Sequence, residues 1–134
     1  MSSRYTEWDT EIFPEGLYEG IRQVWNKYHL PIYITENGIG LYEDTSVNQV
    51  EDDDRIEFMD MHIAAVLKAK EGGCDVRGYY AWSPFDLYSW KNGTEKRYGL
   101  VAIDYENGLE RRPKKSYYWY KNVIETDGKH ITGK

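Results

Sequence analysis

The run Pro31-Ile32-Tyr33-Ile34-Thr35-Glu36-Asn37-Gly38 constrains the fold more than any other stretch of the chain. Four β-forming residues, Ile32 to Thr35, predict a short strand buried on both faces, as in a parallel sheet. Glu36 comes where this strand ends, and Gly38 bounds the turn that follows. In a parallel barrel, a glutamate at the carboxyl end of a strand can act as a nucleophile or as an acid and base. Taken alone, such a glutamate is more often only a solvated side chain.

Amphipathic stretches lie on both sides of this strand. Pro14 predicts the first turn of a helix, and residues 56–67 predict a second helix that ends at Gly72-Gly73. The apolar faces are formed by Leu17, Ile21, Val24, Trp25 and Tyr28 in the first helix and by Ile56, Met59, Ile63, Val66 and Leu67 in the second. A second strand is predicted from Val76 to Trp82. The order helix, strand, helix, strand is typical of β/α folds.

The remaining segments are less regular. Residues 1–13 are predicted to form a loop, and the acidic residues 40–54 a loop over the catalytic face, with residues 52–54 capping the next helix rather than binding metal. A hairpin is predicted from Tyr98 to Asp104 against Leu109 to Arg111, turned at Asn107-Gly108. Pro113 then opens a last helix, whose shared face is predicted to hold Tyr117, Tyr120, Val123 and Ile124. The tail from Asp127 is predicted to be loose.

Composition narrows the possible partners. The net charge of -6 argues against nucleic acid, and the apolar runs are too short for a membrane span. Cys74 is the only cysteine, so the sequence predicts no internal disulfide and no Cys/His metal site, and we expect no cofactor. His62 is expected to be packed or on the surface rather than a ligand. The first residues show no basic-then-apolar signal segment, which predicts cytoplasmic localisation.

Two motifs carry a family resemblance. Ile34-Thr35-Glu36-Asn37-Gly38 resembles the nucleophile strand of the retaining β-glycosidases of glycoside hydrolase family 1, and Gly78-Tyr79-Tyr80-Ala81-Trp82-Ser83-Pro84-Phe85-Asp86 resembles their last barrel strand. The resemblance implies an α/β fold. Because a closed (β/α)8 barrel needs about 250 residues, residues 1–134 are expected to be a single partial domain, the carboxyl-terminal part of a barrel with its last two strands, their helices and a rim hairpin.

The resemblance implies that Glu36 is the nucleophile. Retaining hydrolysis also needs a second carboxyl group, about 5–5.5 Å away, as proton donor. In the family this acid lies in an Asn-Glu-Pro context on an earlier strand, and no such tripeptide occurs in the 134 residues. Asp86 and Glu95 are the nearest substitutes, but neither has the strand-end position of a proton donor. We therefore assign no acid from the sequence.

The loop after the second strand indicates whether the substrate is phosphorylated. Relatives that act on unphosphorylated sugars usually have a glutamate directly before a tryptophan here, and this chain has Ser89-Trp90. Lys96 and Tyr98 are two positions apart, so in extended chain they face one side while Arg97 faces the other. Ser89, Lys96 and Tyr98 match the pattern of 6-phospho-β-glycosidases, which implies a site for the 6-phosphate. Without the resemblance, a solvated basic pair and a loop serine would be preferred.

Trp82 and Trp90 match family positions that touch the sugar ring, and packing at the barrel rim is their structural alternative. Trp90 directly after Ser89 is more similar to the 6-phospho-β-galactosidase branch than to most 6-phospho-β-glucosidases.

The resemblance implies part of a retaining β-glycosidase that hydrolyses 6-phospho-β-glucosides or galactosides. Its expected partners are a phosphorylated disaccharide or aryl glycoside, together with the missing barrel portion or a second copy of the chain. One alternative is a non-catalytic remnant or subunit that binds sugar phosphates or pairs with another chain. Another is a fragment of an ordinary β-glucosidase, against which Ser89 argues.

Overall fold

The computed structural model of the chain describes residues 4–8 and 10–133. The elements in order are β1 (Arg4–Tyr5), β2 (Glu11–Ile12), α1 (Pro14–Tyr28), β3 (Ile32–Asn37), α2 (Asp53–Glu71), β4 (Val76–Ala81), β5 (Val101–Asp104), β6 (Glu110–Pro113) and α3 (Lys115–Glu125). The predicted alternation of helices and strands is therefore present from α1 to β4. None of the described helices has the length and apolarity needed to cross a membrane.

Strands β3 and β4 form a parallel pair connected through helix α2. Their register begins at Ile32 opposite Val76 and ends at Asn37 opposite Ala81. Parallel neighbours need a long crossover, and the 19-residue helix α2 supplies it. The two strands predicted from the sequence thus form one β-α-β unit, whose carboxyl ends lie side by side.

One face of this parallel pair is covered by helices α1 and α2. Ile21 of α1, Val66 and Ala69 of α2 and Val76 of β4 are buried together, with Ile32 packed against them. On the opposite face, which we call the open face, the rings of Tyr33 and Tyr80 lie over Gly78 and are 52% and 57% exposed. The prediction that β3 is buried on both faces is therefore wrong, because no layer of the described chain covers the open face.

Helix α1 ends at a residue in a left-handed conformation, and helix α2 ends at a glycine. Helix α1 stops at His29, which adopts a left-handed conformation with φ 53° just before Leu30-Pro31. Only part of its predicted apolar face is inside, since Val24 and Tyr28 are exposed. Helix α2 ends at Gly72 as predicted. His62 is packed in α2, where its Nδ1–H donates to the carbonyl of Phe58 at 2.7 Å.

A second apolar core joins α2, α3 and the loops beyond the strands. Its buried members are Ile39, Leu41, Phe58, Met59, Ile63, Leu100 and Val123. Beside this core lies a group of buried ionised side chains that we call the buried charge network: Glu43, Asp52, Arg55, Asp86 and Lys114. The core and the network together fix the loops that follow β3 and β4 to the amino end of α3.

Asp52 belongs to this network instead of capping α2 with its side chain. It occupies the N-cap position, but its carboxylate makes no capping hydrogen bond. It accepts hydrogen bonds from the backbone N–H of Ser116 at 2.9 Å and from Arg55 Nε at 2.9 Å. The capping prediction is wrong for this residue because Arg55 and Ser116 offer a buried carboxylate stronger partners than the helix end. Among the described residues, no three acidic, histidine or cysteine side chains form a metal-ligand group.

The irregular segments are more ordered than their composition predicts. Strands β1 and β2 pair within the segment predicted to be a loop, although residues 1–3 and 9 lie outside the described part. The predicted hairpin is present as β5 and β6, but β5 begins at Val101 rather than Tyr98, and a five-residue connection closed by hydrogen bonds to Asp104 joins the strands. Pro113 ends β6, and α3 begins two residues later.

The tail is attached to helix α2 rather than loose. Asp60 of α2 accepts hydrogen bonds from the backbone N–H groups of Thr132 and Gly133 at 2.9 and 2.8 Å. Ile131 packs against the second core. The polar composition of this segment gave no sign of that attachment, because the acceptor is on a distant helix.

Candidate active site

Glu36 lies on an irregular stretch of β3, where the pairing with β4 slips. Ile34 is opposite Tyr79 and Asn37 is opposite Ala81, so three residues of β3 span the same distance as two of β4. This extra residue forms a bulge, and bulges redirect the side chains they carry. Thr35 and Glu36 are consecutive and both exposed. The carboxylate of Glu36 is therefore presented to solvent at the carboxyl end of the parallel pair.

The turn after Glu36 is fixed against the end of β4. The backbone N–H of Trp82 donates to the carbonyl of Asn37 at 2.8 Å, and the hydroxyl of Tyr79 donates to Asn37 Oδ1 at 2.8 Å. Burial raises the pKa of Tyr79, which keeps this phenol protonated as a donor. A Cβ on Gly38 would lie 1.8 Å from the carbonyl oxygen of Trp82, so only glycine permits this approach.

Residues 96–98 lie between the turn after β3 and the segment after β4. Leu41 and Arg97 exchange backbone hydrogen bonds of 2.9 Å, and the N–H of Ser83 donates to the carbonyl of Tyr98 at 3.0 Å. The buried guanidinium of Arg55 also donates to the carbonyls of Ile39, Arg97 and Tyr98 at 2.6, 3.2 and 3.1 Å. This segment is therefore held in position by backbone groups on both sides.

Lys96 and Tyr98 face the same side of this segment, as their spacing of two predicts. The ammonium nitrogen of Lys96 lies 5.5 Å from the ring centre of Tyr98 and 5.3 Å from that of Trp8. These are cation–π distances. Arg97 faces the other way, where its Nη1 donates to the carbonyl of Ile103 at 3.0 Å and lies 3.5 Å from Asp86.

Lys96 differs from the other lysines and arginines that are at least partly buried in the described chain. Arg55, Arg97, Arg112, Lys114 and Lys115 each have a carboxylate oxygen at 2.6 to 3.5 Å. Within residues 4–8 and 10–133, no carboxylate forms an ion pair with Lys96. Its charge is therefore held between aromatic rings without being neutralised.

Ser89 and the two tryptophans are placed by the structure in different surroundings. Ser89 is buried in a tight turn closed by Gly93, and its hydroxyl oxygen accepts from the N–H of Asn92 at 3.3 Å. Trp82 is 39% exposed beside the turn that follows Glu36, and Trp90 is 98% exposed. Neither a hydrogen bond nor a ring contact among the described residues connects Ser89 or Trp90 with Lys96 and Tyr98.

The two substitute acids, Asp86 and Glu95, lie in different surroundings. Asp86 is buried, where it accepts from the N–H of Gly99 at 2.9 Å and forms an ion pair with Lys114 at 2.9 Å. Its oxygens are thus committed to the buried charge network. Glu95 is exposed in the loop before Lys96. Among the described residues, no hydrogen bond or ion pair connects the Glu36 side chain with either acid.

Two residues near the site, Trp8 and Arg55, have no role in the sequence analysis. Trp8 reaches Lys96 from the segment between β1 and β2, and its buried indole N–H has no hydrogen-bond partner among the described residues. Arg55 lies on helix α2 and joins the turn after Glu36 to residues 97 and 98. Because Arg55 directly follows three acidic residues, its sequence context indicates a helix start and gives no indication of this contact.

The fold and the site together indicate a class of protein. A parallel β-α-β unit with an exposed glutamate at the end of one strand is the arrangement that (β/α)8-barrel glycosidases use for catalysis. The model of glycosyl hydrolase family 1 matches residues 1–129. The chain belongs to glycosyl hydrolase family 1.

Solved structures of this family superpose closely on the chain. A family 1 β-glucosidase from Thermotoga maritima is 36% identical with a TM-score of 0.90, covering 96% of this chain and 29% of its own. The complex of the Thermotoga maritima β-glucosidase with glucoimidazole is 35% identical, with a TM-score of 0.89 and coverage of 96% and 29%. The complex with galacto-hydroximolactam is 36% identical, with a TM-score of 0.89 and coverage of 96% and 30%. The chain thus spans about three tenths of the length of the structures it matches.

Proposed function

We propose that the chain is part of a retaining 6-phospho-β-glycosidase that acts in the cytoplasm on phosphorylated disaccharides or aryl glycosides. Glu36 would attack the anomeric carbon and break its bond to the aglycone oxygen, which the family's acid would protonate; water would then hydrolyse the covalent glycosyl intermediate. Lys96, with Tyr98 and Ser89, would hold the 6-phosphate. The observation that carries this proposal is the ammonium of Lys96, which lies between two aromatic rings and has no carboxylate partner in the described chain.

The absence of a paired carboxylate decides which ligand suits Lys96. A lysine already paired with aspartate or glutamate would have to give up that partner to bind an anion. Lys96 keeps its full charge and its N–H donors, while the phenol of Tyr98 adds another donor on the same side. A phosphate, with several acceptor oxygens and negative charge, is complementary to this pair.

The serine at position 89 supports the same substrate. A glutamate in this loop would place a negative charge near the phosphate, and like charges about 4 Å apart repel by about 1–4 kcal/mol at effective dielectric constants of 80 to 20. Ser89 avoids that repulsion. We propose that Trp82 and Trp90 contact the sugar, since both offer exposed aromatic surface that can cover the C–H side of a pyranose.

Replacing Lys96 tests the phosphate site. Because a charge-assisted hydrogen bond contributes about 1.5–3 kcal/mol, Lys96→Ala should weaken binding of galactose 6-phosphate or glucose 6-phosphate by that amount. Binding of the unphosphorylated sugars should change little. Dissociation constants for both sugar classes would be measured by NMR titration of the 134-residue chain, which detects weak binding.

Lys91→Ala is the matched control, since Lys91 is an exposed lysine five positions earlier in the same loop. It should leave both dissociation constants unchanged. Equal losses for phosphorylated and unphosphorylated sugars in Lys96→Ala would show that Lys96 supports the loop, and the phosphate site would be withdrawn.

The second candidate is an ordinary β-glucosidase, which the comparisons favour. The matched structures are described as β-glucosidases, at 35% and 36% identity. Under this alternative the chain would bind glucose as well as glucose 6-phosphate, and Lys96→Ala would not alter the preference. The same titrations therefore separate the two substrates.

We also propose that the open face takes part in assembly. Tyr33 and Tyr80 leave aromatic surface uncovered, and in the described part of the chain β3 and β4 pair only with each other. Unpaired strand edges favour pairing with other strands. The partner would be the rest of a family 1 barrel or a second copy of the chain, and the mass of the chain in solution distinguishes a monomer from a self-associated form. A non-catalytic binding subunit would show the same assembly without turnover.

A further inference from the structure

The position of Lys96 depends on residues outside its own loop. Its stem passes over Gly40, where an added Cβ would lie 2.4 Å from Lys96 Cε and 2.6 Å from Cγ. Its ammonium then reaches the ring of Trp8 at 5.3 Å. Three segments, around residues 8, 40 and 96, therefore meet at this one side chain.

Trp8 is itself fixed by contacts that do not involve Lys96. The hydroxyl oxygen of Thr6 accepts from the N–H of Trp8 at 3.2 Å, and the indole stacks on the ring of Tyr42 at 4.5 Å. The neighbouring Glu7 accepts from the N–H of Tyr42 at 2.8 Å, which joins this segment to the loop after Gly40. The indole is a prepared surface on which a cation can rest.

We propose that Trp8 and Gly40 are positioning residues that set the ammonium of Lys96 for an anionic group and thereby determine the preference for phosphorylated sugars. This inference rests on the proposed phosphate site. An aromatic face attracts the cation through its quadrupole and leaves the net charge in place, whereas a carboxylate would neutralise it. Gly40 contributes by the space it leaves for the lysine stem.

The direct test observes Lys96 itself. Aromatic rings shift the resonances of nearby protons upfield, so the ε protons of Lys96, assigned by their loss in Lys96→Ala, should resonate upfield of the other lysines. Trp8→Ala should remove a large part of that displacement, and Trp8→Phe should keep most of it. Gly40→Ala should move the same resonances, because its methyl group would displace the lysine stem. Gly20→Ala is the matched control, since no atom of the described residues lies within 4 Å of a Cβ there.

The consequence for binding is measured with the same variants. A cation–π contact contributes up to about 2 kcal/mol, so Trp8→Ala should weaken galactose 6-phosphate binding by about 3- to 30-fold and leave galactose binding unchanged. Trp8→Phe should restore most of the affinity. A role of Trp8 confined to stability would lower both affinities together and would not be rescued in this selective way.

Each outcome decides a different point. Unchanged Lys96 resonances in both Trp8→Ala and Gly40→Ala would overturn the positioning role. Normal sugar phosphate affinity in those variants would do the same, provided that Lys96→Ala abolishes the affinity. If Lys96→Ala itself has no effect, the phosphate site fails, and with it the link to specificity. Should Trp8→Ala not give a native amide spectrum, Gly40→Ala and Trp8→Phe carry the test.

Discussion

The open face of β3 and β4 and the buried charge network meet at residues 36–41, and they differ in how their polar groups are satisfied. In the network, Arg55 and Lys114 each contact two carboxylates, and all of these side chains are excluded from water. Next to the open face, at the carboxyl end of β3, Glu36 is exposed and forms no ion pair within the described chain. The network ties the loops around the site together, while the carboxylate of Glu36 stays exposed to solvent.

The largest expected effect is on covalent adduct formation at Glu36. Glu36→Gln should abolish formation of a covalent adduct with a 2,4-dinitrophenyl 2-deoxy-2-fluoro-6-phospho-β-glycoside, measured by mass spectrometry of the digested protein. This leaving group departs without protonation, so the test does not depend on an acid. An adduct on a different carboxylate would contradict the assignment of Glu36.

We also expect little turnover of natural substrates by the chain alone. Without a positioned proton donor, cleavage of a sugar leaving group should lose about 10²- to 10⁴-fold, and missing substrate contacts should cost more. Release of sugar 6-phosphate, measured alongside the solution mass, tests this. Robust turnover by a monomer, abolished by Glu36→Gln, would require an acid within the 134 residues.

The next prediction concerns the stability that the buried charge network contributes. Lys114→Met leaves Asp86 and Glu43 without their lysine partner, and removing one member of a buried ion pair costs about 3–5 kcal/mol. Urea unfolding should report a loss of that size. Lys121→Met, which removes an exposed pair with Glu125 in α3, should cost at most about 0.5 kcal/mol. Similar losses in both variants would show that the network contributes no more than a surface pair.

The smallest effect concerns His62, which is buried in α2, the helix that also carries Arg55 of the network. Burial lowers the pKa of His62, so the unfolded chain binds its proton more readily than the folded chain. Stability should be fully present above the unfolded pKa of about 6.5 and should fall as the pH decreases toward the lowered folded value. His62→Gln should flatten this dependence between pH 7 and 5, whereas the exposed His130→Gln should not. An unchanged pH profile in His62→Gln would contradict this role.

The regular part of the fold could be predicted because its information is local. The strand from Ile32, the helix from Pro14 and the end of α2 at Gly72 each follow from a short pattern. The exposed face of β3 could not, because burial depends on what lies against a strand and not on its own residues. The capping prediction for Asp52 failed for a similar reason, because its partner Ser116 is 64 residues away in the sequence.

The candidate site divides in the same way. The motif around Glu36 and the spacing of Lys96 and Tyr98 are visible in the sequence. The contact of Trp8 with Lys96 joins residues 88 positions apart, and Trp8 lies in a segment with no periodic pattern. The roles of Asp86 and Lys114 also stayed hidden, since a buried ion pair and a solvated one have the same composition.

The close approach of Gly38 to Trp82 has a consequence for chimeric enzymes. The turn after β3 and the segment after β4 fit one another at the backbone level, and Gly40 fits the stem of Lys96 in the same region. In a chimera, one parent sequence should therefore supply all three segments, residues 36–41, 82–83 and 96–98. A recombination library that takes these three segments from one parent should retain folded members, whereas crossovers between them would combine surfaces shaped for different neighbours.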